Sequence, residues 1–501
     1  MTTFEEWQEA AATVAVPSRA FIDGEPVETN ATYPNLNPAT GETIAEVASG
    51  DVEEIDRAVI SARAAFEDER WSGLAPKERG RVLIRLADLI EENAAELQLL
   101  ETIDIGKPIR YTNVVDVHQA ETTYRWYGEA ADKLYDEIAP TGKDALGLIT
   151  REPVGVVGAV TPWNFPLMIN AWKLAPALMA GNSVVLKPAE QSPLTALRVA
   201  ELAIEAGIPD GVLNVVPGYG ETAGKALGLH DDVDAIAFTG STEVAKHFLR
   251  YAADSNMKRV SAETGGKTPN LMFADAPDPR YAMNAIGFSI FWNTGESCIA
   301  GSRLLVEQSM YDEVVDSVKT TAESWVPGDP LDPATKAGPI VDENQLARVE
   351  HYIGLGSSEG ARLVTGGNRI LTETGGFFVE PTVFADVDND MTIAREEIFG
   401  PVLSVIPFTD DEDAVRIAND TSYGLSAAVW TSDLARAHRV ARAIRAGTVW
   451  INNFDQADIS APFGGFKGSG FGGKDKSLHA LDKYTNVKTT WINLGRGGIK
   501  P

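Results

Sequence analysis

The chain is poor in residues that bind metals or form cross-links. It has one cysteine, Cys298, and six histidines in 501 residues. A single cysteine excludes an internal disulfide and a multi-thiolate metal centre. The histidines are His118, His230, His247, His351, His438 and His479. Because they show no metal-ligand spacing, we expect no catalytic metal. Cys298 is therefore either a small buried side chain or a nucleophile.

Long apolar runs and basic residues are also scarce. No uninterrupted apolar run reaches the length of a membrane span, and Met1–Trp7 lacks the pattern of a signal peptide. The 72 acidic residues outnumber 43 basic ones, which gives a net charge of −29. Phosphate groups are bound by basic patches, so we expect neither nucleic acid nor membrane as a partner. These features predict a cytoplasmic protein.

Strands and helices alternate over most of the chain. Its length predicts two or three domains. Apolar strands alternate with helices from 152 to 266, and the alternation resumes from 268 to 463. Continuous apolar strands of this kind predict parallel sheets that are covered on both faces and bind ligands at the carboxyl ends of their strands.

The ends of the chain carry simpler patterns. Apolar periodicity predicts helices over 51–70, 76–100 and 113–134, and Ser192-Pro193 predicts the start of another helix. The run 484–494 is extended in pattern and has no evident neighbour in the sequence. It would therefore be an exposed edge strand, which pairing with another subunit would cover.

Cys298 has neighbours that favour a reactive role. Gly295, Glu296, Ser297 and Gly301 are not typical flanks of a core helix or a buried strand. They suit a tight segment that presents one side chain and brings backbone N–H groups close to it. A thiol in such a segment can act as a covalent catalyst.

Two segments that follow strands are candidate binding sites for a dinucleotide. Gly240 follows a strand and Ser241 opens a helix whose free N–H groups would hold a pyrophosphate, unless Ser241 is a plain helix cap. Lys187 and Glu190 would grip an adenosine ribose, unless they form a surface ion pair. A carboxylate there favours NAD over NADP. The G-x-G-x-x-A pattern from Gly218 to Ala223 is interpreted as turn residues, because Pro217 interrupts the motif.

Two further polar residues lie in turns. Glu263 ends a strand ahead of two glycines, which suits a general base. Asn164 lies in the proline-braced turn Pro162–Pro166, and its amide is suited to donate to an oxyanion. Each is equally explained as a turn residue with satisfied hydrogen bonds.

Six segments together resemble the NAD(P)-dependent aldehyde dehydrogenase superfamily, in its order and at its spacing. They are Pro162-Trp-Asn-Phe-Pro166, Lys187-Pro-Ala-Glu190, Phe238-Thr-Gly-Ser-Thr242, Glu263-Thr-Gly-Gly-Lys267, Gly295-Glu-Ser-Cys298 and Glu397-Ile-Phe-Gly-Pro401. The resemblance covers essentially the whole chain. It implies an α/β fold with two open parallel-sheet (Rossmann-type) domains and a small β oligomerisation element. The implied parts are a cofactor-binding domain (1–134 and 154–266), a catalytic domain (267–470) and oligomerisation strands (135–153 and 479–501).

The resemblance also implies roles for individual residues. Cys298 would be the nucleophile, Glu263 the general base, and Asn164 the oxyanion donor together with the Cys298 N–H. The cofactor, NAD with NADP possible, would be contacted by Trp163, Lys187, Glu190, Gly240, Ser241, Glu397 and Phe399. Two positions depart from the family pattern: Ala245 replaces a glycine after the pyrophosphate turn, and Thr264 replaces a leucine after the base. A homodimer or homotetramer is implied.

The resemblance implies a small aldehyde as the substrate. The segments 100–110, 254–259 and 462–484 are similar to the γ-glutamyl-γ-aminobutyraldehyde dehydrogenase subgroup. Aromatic and apolar residues expected to line the pocket, or to belong to the core, are Phe165, Met168, Trp172, Trp292, Phe454 and Phe463. Asp455 and Asp458 would attract an ammonium group.

The sequence is compatible with other substrates and other functions. Betaine aldehyde, an unsubstituted aminoaldehyde and a simple aliphatic aldehyde are alternative substrates. A CoA-acylating dehydrogenase is a further alternative, although Glu263 argues against it because such an enzyme avoids activating water. A non-catalytic scaffold protein would need a broken site, and Cys298, Glu263 and Asn164 are all present.

The acidic surface leads to a prediction about salt. We hypothesise adaptation to high salt, because ions screen the mutual repulsion of the excess carboxylates. The midpoint of thermal unfolding is expected to rise from low to molar KCl. Calorimetry across a KCl series measures it, and a midpoint that stays level or falls would contradict the hypothesis.

Overall fold

The structure, a computed structural model, describes residues 2–495. Its strands are β1 Ala20–Ile22, β2 Glu25–Val27, β3 Thr32–Leu36, β4 Thr43–Ala48, β5 Glu137–Ile138, β6 Ala145–Pro153, β7 Val156–Val160, β8 Ser183–Lys187, β9 Leu213–Val215, β10 Ala235–Thr239, β11 Arg259–Glu263, β12 Pro269–Met272, β13 Arg303–Glu307, β14 Arg362–Thr365, β15 Arg369–Ile370, β16 Phe378–Val379, β17 Thr382–Ala385, β18 Val402–Phe408, β19 Ser426–Trp430, β20 Thr448–Ile451, β21 Gly470–Phe471 and β22 Thr485–Asn493.

The α-helices lie between these strands and cover the sheets. They are α1 Phe4–Thr13, α2 Val52–Glu67, α3 Pro76–Glu92, α4 Ala94–Ile105, α5 Ile109–Thr112, α6 His118–Ala130, α7 Pro166–Ala180, α8 Leu194–Ala206, α9 Lys225–Leu229, α10 Thr242–Asp254, α11 Pro279–Phe291, α12 Tyr311–Glu323, α13 Glu343–Ser358, α14 Thr392–Arg395, α15 Asp411–Asn419 and α16 Leu434–Ala443. No helix within residues 2–495 is long and apolar enough to cross a bilayer.

The first large sheet has the strand order β2-β1-β9-β8-β7-β10-β11-β21. Strands β7 to β11 are parallel, while β1, β2 and β21 run antiparallel to their neighbours. The chain leaves β7 toward β8 on one side and returns to β10 on the other. Such a reversal opens a crevice beyond the carboxyl ends of β7 and β10, where ligands of doubly wound sheets bind.

The second large sheet has the order β14-β17-β18-β13-β12-β19-β20 and is parallel except for β14. Apolar clusters cover both of its faces, one built with α11 and α12 and the other with α13, α15 and α16. Strand β11 ends at Glu263 and β12 begins at Pro269. The short link 264–268 therefore joins the two sheets at the point where the predicted base lies. The α/β fold with two open parallel-sheet units is as predicted.

A small third sheet has the order β22-β6-β5. Strand β22 pairs with β6 over nine residue pairs, from Thr485 opposite Pro153 to Asn493 opposite Ala145. The sequence showed no evident neighbour for this strand because β6 is distant in the chain, and β22 lies at the edge of its sheet. Its other edge carries no strand within the described residues, and Val487 and Trp491 are 62% and 64% exposed. The part of the predicted 479–501 segment after 495 lies outside the described residues.

Two helix predictions fail for local reasons. The predicted helix 76–100 is broken at Asn93, whose side-chain amide donates to the Leu89 carbonyl at 2.8 Å. Asparagine side chains compete with the helix in this way. The predicted helix 113–134 begins as a π-helix, Asn113–Val117, and continues as α6.

The predicted cap of α8 also differs. The helix begins at Leu194, and Pro193 holds the cap position rather than the first helical one. The Ser192 hydroxyl has no partner, and the Leu194 N–H donates to the buried Asp104 carboxylate at 3.0 Å. A carboxylate from another helix thus replaces the local cap.

Candidate active site

Cys298 follows α11 in a segment with unusual backbone. Asn293, Thr294 and Gly295 all have positive φ, at 49°, 53° and 71°. A β-carbon at Gly295 would overlap the backbone of Gly400, so this turn requires glycine. The three left-handed residues end α11 abruptly and place Cys298, half-buried, on the wall of a pocket of about 300 Å³.

Burial and neighbouring carboxylates keep the Cys298 thiol protonated. Burial raises its pKa well above the ordinary value, and the nearby carboxylates of Glu397, Glu263 and Asp455 raise it further. A hydrogen bond with its own backbone N–H lowers the pKa of the thiol. Forming the thiolate therefore needs a proton acceptor or an added positive charge in the same pocket.

Asn164 lies directly after β7 and is buried against the Cys298 segment. Its side-chain amide nitrogen donates to the Glu296 carbonyl at 3.0 Å. Asn293 donates to the same carbonyl at 3.1 Å and to the Asn164 carbonyl at 3.3 Å. Because an amide nitrogen has two hydrogens, one fixes the residue and the other remains to donate to a ligand.

Glu263 ends β11 and is 2% exposed. Its Oε2 accepts a hydrogen bond from the Gly465 N–H at 3.2 Å, while Oε1 has no partner among residues 2–495. Burial raises its pKa to about 8; Asp475 adds to the rise, and Lys173 opposes it. The carboxyl is mostly protonated below that pH and becomes a base as the pH rises through it.

The turn that holds Glu263 is braced by charged side chains. The Lys474 ammonium donates to the carbonyls of Gly464 and Gly465 at 2.8 and 3.1 Å. Asp475 is buried between Lys173, at 2.6 Å, and Lys483. These contacts fix the loop after Phe463 relative to β11.

Glu397, Phe399 and Trp163 meet on the cofactor side of Cys298. Glu397 accepts a hydrogen bond from the Gly266 N–H at 2.9 Å, and burial raises its pKa to about 7. Trp163 and Phe399 pack edge to face, with ring centroids 5.1 Å apart. Phe399 has φ of 60°, which is a costly backbone conformation for an aromatic residue. In this conformation its ring packs against Trp163.

The crevice beyond β7 and β10 carries groups that suit a dinucleotide. Lys187, buried at the end of β8, forms an ion pair with Glu190 at 3.1 Å. Ser241 caps α10 by accepting from the Val244 N–H at 3.2 Å, just after Gly240. The hydroxyls of Thr161 and Thr239 are buried without partners at the ends of β7 and β10. Unpaired polar groups beside a helix N-terminus fit a phosphate-containing ligand.

The two residues that depart from the family pattern, Ala245 and Thr264, each contact other segments of the protein. Ala245 is buried on α10 and packs in the apolar cluster that includes Phe238. The Thr264 hydroxyl donates to the Gly468 carbonyl, and its N–H donates to the Ser469 carbonyl at 3.0 Å. Thr264 thus ties the base-bearing strand to the loop ahead of β21.

The pocket brings together most of the aromatic residues expected from the sequence. Phe165, Met168, Trp172, Trp292 and Phe463 line it together with Cys298. Phe454 is the exception, because it packs against Trp450 with ring centroids 4.8 Å apart and does not line the pocket. The next residue, Asp455, lines it instead. Within residues 2–495 no group of three histidine, cysteine or acidic side chains could hold a metal ion.

Some of the lining was not foreseen. The π-helix contributes Val114 and Val115, and the segment after β21 contributes Lys476. A lysine between Asp475 and Ser477 is typical of a solvated loop, so no sequence signal distinguished Lys476. The extra residue of a π-helix likewise has no periodicity of its own in the sequence.

Comparison with known proteins identifies the family. The family model described as "Aldehyde dehydrogenase family" matches residues 26–490. The chain belongs to the aldehyde dehydrogenase family. It is 52% identical over 490 residues to the Escherichia coli NADP/NAD-dependent aldehyde dehydrogenase PuuC, covering 97% of this chain and 98% of that protein. The family and the enzyme class predicted from the sequence are therefore confirmed.

Solved structures agree with this aldehyde dehydrogenase over the whole fold. An indole-3-acetaldehyde dehydrogenase in complex with NAD+ superposes with a TM-score of 0.97 at 57% identity, covering 99% of this chain and 100% of that one. A γ-glutamyl-γ-aminobutyraldehyde dehydrogenase from Burkholderia cenocepacia J2315 gives 0.97 at 54% identity, covering 98% and 100%. Relatives of this fold and identity therefore include enzymes named for different aldehydes.

The contact between Gly464 and Glu263 leads to a prediction. Gly464 has φ of 149°, and a β-carbon there would strike Glu263 Oε1. Gly464→Ala is expected to lower kcat about 100-fold by displacing the carboxylate, while the protein still folds. Gly354→Ala is the control, because nothing lies within 4 Å of a β-carbon at that helical position. Equal kcat for both variants in steady-state assays would refute the prediction.

Proposed function

We propose that this aldehyde dehydrogenase oxidises an aminoaldehyde such as γ-glutamyl-γ-aminobutyraldehyde to its carboxylate, with NAD as the preferred acceptor and NADP as a possible one. The observation that carries the proposal is the convergence of Cys298, Asn164 and Glu263 around one pocket. Cys298 lines the pocket, and the Asn164 side chain donates a hydrogen bond to the Glu296 carbonyl in the same segment. Glu263 is close enough to raise the pKa of the Cys298 thiol.

In the first half of the reaction, the Cys298 thiolate adds to the aldehyde carbon. The free amide hydrogen of Asn164 and the Cys298 N–H donate to the oxyanion that forms, and such donors typically contribute about 3–4 kcal/mol each. When bound, NAD supplies the acceptor for the hydride, which leaves a thioester on Cys298. Burial and the nearby carboxylates raise the pKa of the thiol, so it must first lose its proton before it can attack.

In the second half, water attacks the thioester. Glu263 takes the proton from that water with its unpaired Oε1, while Gly465 holds Oε2 in place. The carboxylate product leaves and the Cys298 thiol is restored. A pKa of about 8 suits a group that gives and takes protons at neutral pH.

The cofactor would be held by residues on three strand ends and by the segment after α14. Lys187 and Glu190 would bind the adenosine ribose, and Gly240 with Ser241 would bind the pyrophosphate. Trp163, Glu397 and Phe399 would adjoin the nicotinamide half. The carboxylate of Glu190 favours a ribose with a free 2′-hydroxyl, which is why NAD is preferred.

The substrate assignment depends on charge in the pocket. Asp455 lines the pocket and Asp458 lies at its exposed rim. Both would attract an ammonium group, and relatives with similar identity are named for an aminobutyraldehyde derivative and for indole-3-acetaldehyde. Betaine aldehyde and simple aliphatic aldehydes are the alternatives. A CoA-acylating reaction is disfavoured because Glu263 is positioned to activate water.

We also propose an assembly and a location. The exposed apolar residues on the third sheet, Val487 and Trp491 among them, support pairing between subunits into a homodimer or homotetramer. The three sheets support the predicted division into cofactor-binding (1–134 and 154–266), catalytic (267–470) and oligomerisation parts. A reduced catalytic thiol suits the cytoplasm.

An aldehyde panel tests the proposed function. Wild-type protein is expected to form NADH and free acid from aminoaldehydes without CoA, and more slowly from betaine aldehyde and butanal. Cys298→Ser is the control and should form no NADH above background. CoA-dependent turnover that yields acyl-CoA would overturn the proposal, as would full activity of Cys298→Ser.

The division of labour between the two half-reactions gives a second prediction. Glu263→Gln keeps a group of the same shape but cannot accept a proton, so steady-state turnover is expected to fall by about 100-fold or more. A single burst of NADH, measured by stopped-flow absorbance in thiolate-forming alkaline buffer, should persist. Loss of the burst in that buffer would mean that Glu263 acts in more than thioester hydrolysis.

A further inference from the structure

Lys476 is the one cationic side chain among the residues that line the aldehyde pocket. The residue is 3% exposed, and its ammonium lies over the Trp172 ring at 5.3 Å from the centroid. Burial lowers its pKa, and it interacts with Asp455, Asp458 and Asp475 only through space. Within residues 2–495 its ammonium has no hydrogen-bond or ion-pair partner, since Asp475 is taken by Lys173 and Lys483.

Asp455 faces the same space without a partner of its own. It lines the pocket, and burial raises its pKa to about 6, with Lys476 as the opposing influence. The two charges are therefore close enough to interact but are not joined as an ion pair. Asp458 also interacts with Lys476 through space, but its carboxylate lies at the exposed rim, where the Ser460 N–H donates to it at 2.8 Å.

The backbone at both positions is costly. Lys476 has φ of 61° and Asp455 has φ of 60°. Residues held in this region are uncommon and cluster where a ligand is clamped. The Lys476 side chain is largely buried while its residue lines the pocket, so an anion that enters the pocket gains an ammonium with few competing contacts.

We propose that Lys476 binds a carboxylate at the remote end of the substrate while Asp455 binds an adjacent ammonium. The pocket then selects aldehydes whose far end is an amino-acid head group. This inference rests on the proposed function and narrows it. A substrate with only an amine or a quaternary ammonium would leave Lys476 unpaired and be repelled by it, which disfavours unsubstituted aminoaldehydes and betaine aldehyde.

Four matched aldehydes test the proposal. Each is 4-aminobutanal acylated on nitrogen, by a γ-glutamyl, glutaryl, 4-aminobutanoyl or butanoyl group. They carry both head-group charges, the carboxylate alone, the ammonium alone, or neither. The wild type is expected to show the highest kcat/KM with the γ-glutamyl aldehyde, and a higher value for glutaryl than for butanoyl.

Two substitutions separate the charges. In Lys476→Met the ratio of kcat/KM for glutaryl to butanoyl is expected to fall roughly 10- to 100-fold, the usual size of a charged hydrogen bond. In Asp455→Asn the ratio of aminobutanoyl to butanoyl should fall instead. Lys476→Arg should retain the carboxylate preference. Lys319→Met, at a half-exposed lysine on α12, is the control and should change neither ratio.

The outcomes separate this inference from the proposed function. Equal kcat/KM for all four aldehydes in the wild type would overturn the carboxylate subsite and leave aldehyde oxidation standing. A uniform loss with all four aldehydes in Lys476→Met, with an unchanged ratio, would show a structural role and also overturn the subsite. If no aldehyde of any kind forms NADH, both the inference and the proposed function fail.

Discussion

Close contact between backbones of the two large sheets is the constraint on which the site depends. Gly266, in the link that leaves β11, lies so near the Cys298 carbonyl that a β-carbon would overlap it. A β-carbon at Gly464 would overlap the side-chain Oε1 of Glu263. The Gly266 contact therefore brings the segment of the thiol close to the end of the strand that carries the carboxyl, and Gly464 leaves room for that carboxyl. A larger residue at Gly266 or Gly464 would displace the Cys298 segment or the Glu263 carboxyl.

Close packing also sets the electrostatics. With little water around them, Glu263 and Glu397 have pKa values of about 8 and 7, and burial raises the pKa of Cys298 as well. The carboxylates raise the thiol pKa further. A positively charged cofactor ring would favour the thiolate, as an opposite charge does for any buried acid. The same desolvation makes Lys476 a strong attractor for an anion.

Sequence patterns predicted well those elements that depend on neighbouring residues. Strands β8, β10 and β11 form in the region 152–266, where apolar runs predict strands. Prediction failed where a residue distant in sequence intervenes, since the Asp104 carboxylate replaces the expected cap of α8. The pairing of β22 with β6 likewise depends on two segments far apart in the chain, so no local pattern identified it.

The sequence by itself determined the family and the residues proposed to react. Cys298, Glu263 and Asn164 stand in glycine- or proline-rich turns whose residue types carry the chemistry, and the family follows from their order and spacing. Only the tertiary structure decided how those groups behave. The unpaired Oε1 of Glu263, the second hydrogen of Asn164 and the buried ammonium of Lys476 arise from contacts between segments far apart in the chain. Burial and pairing are properties of such contacts, so no local pattern contains them.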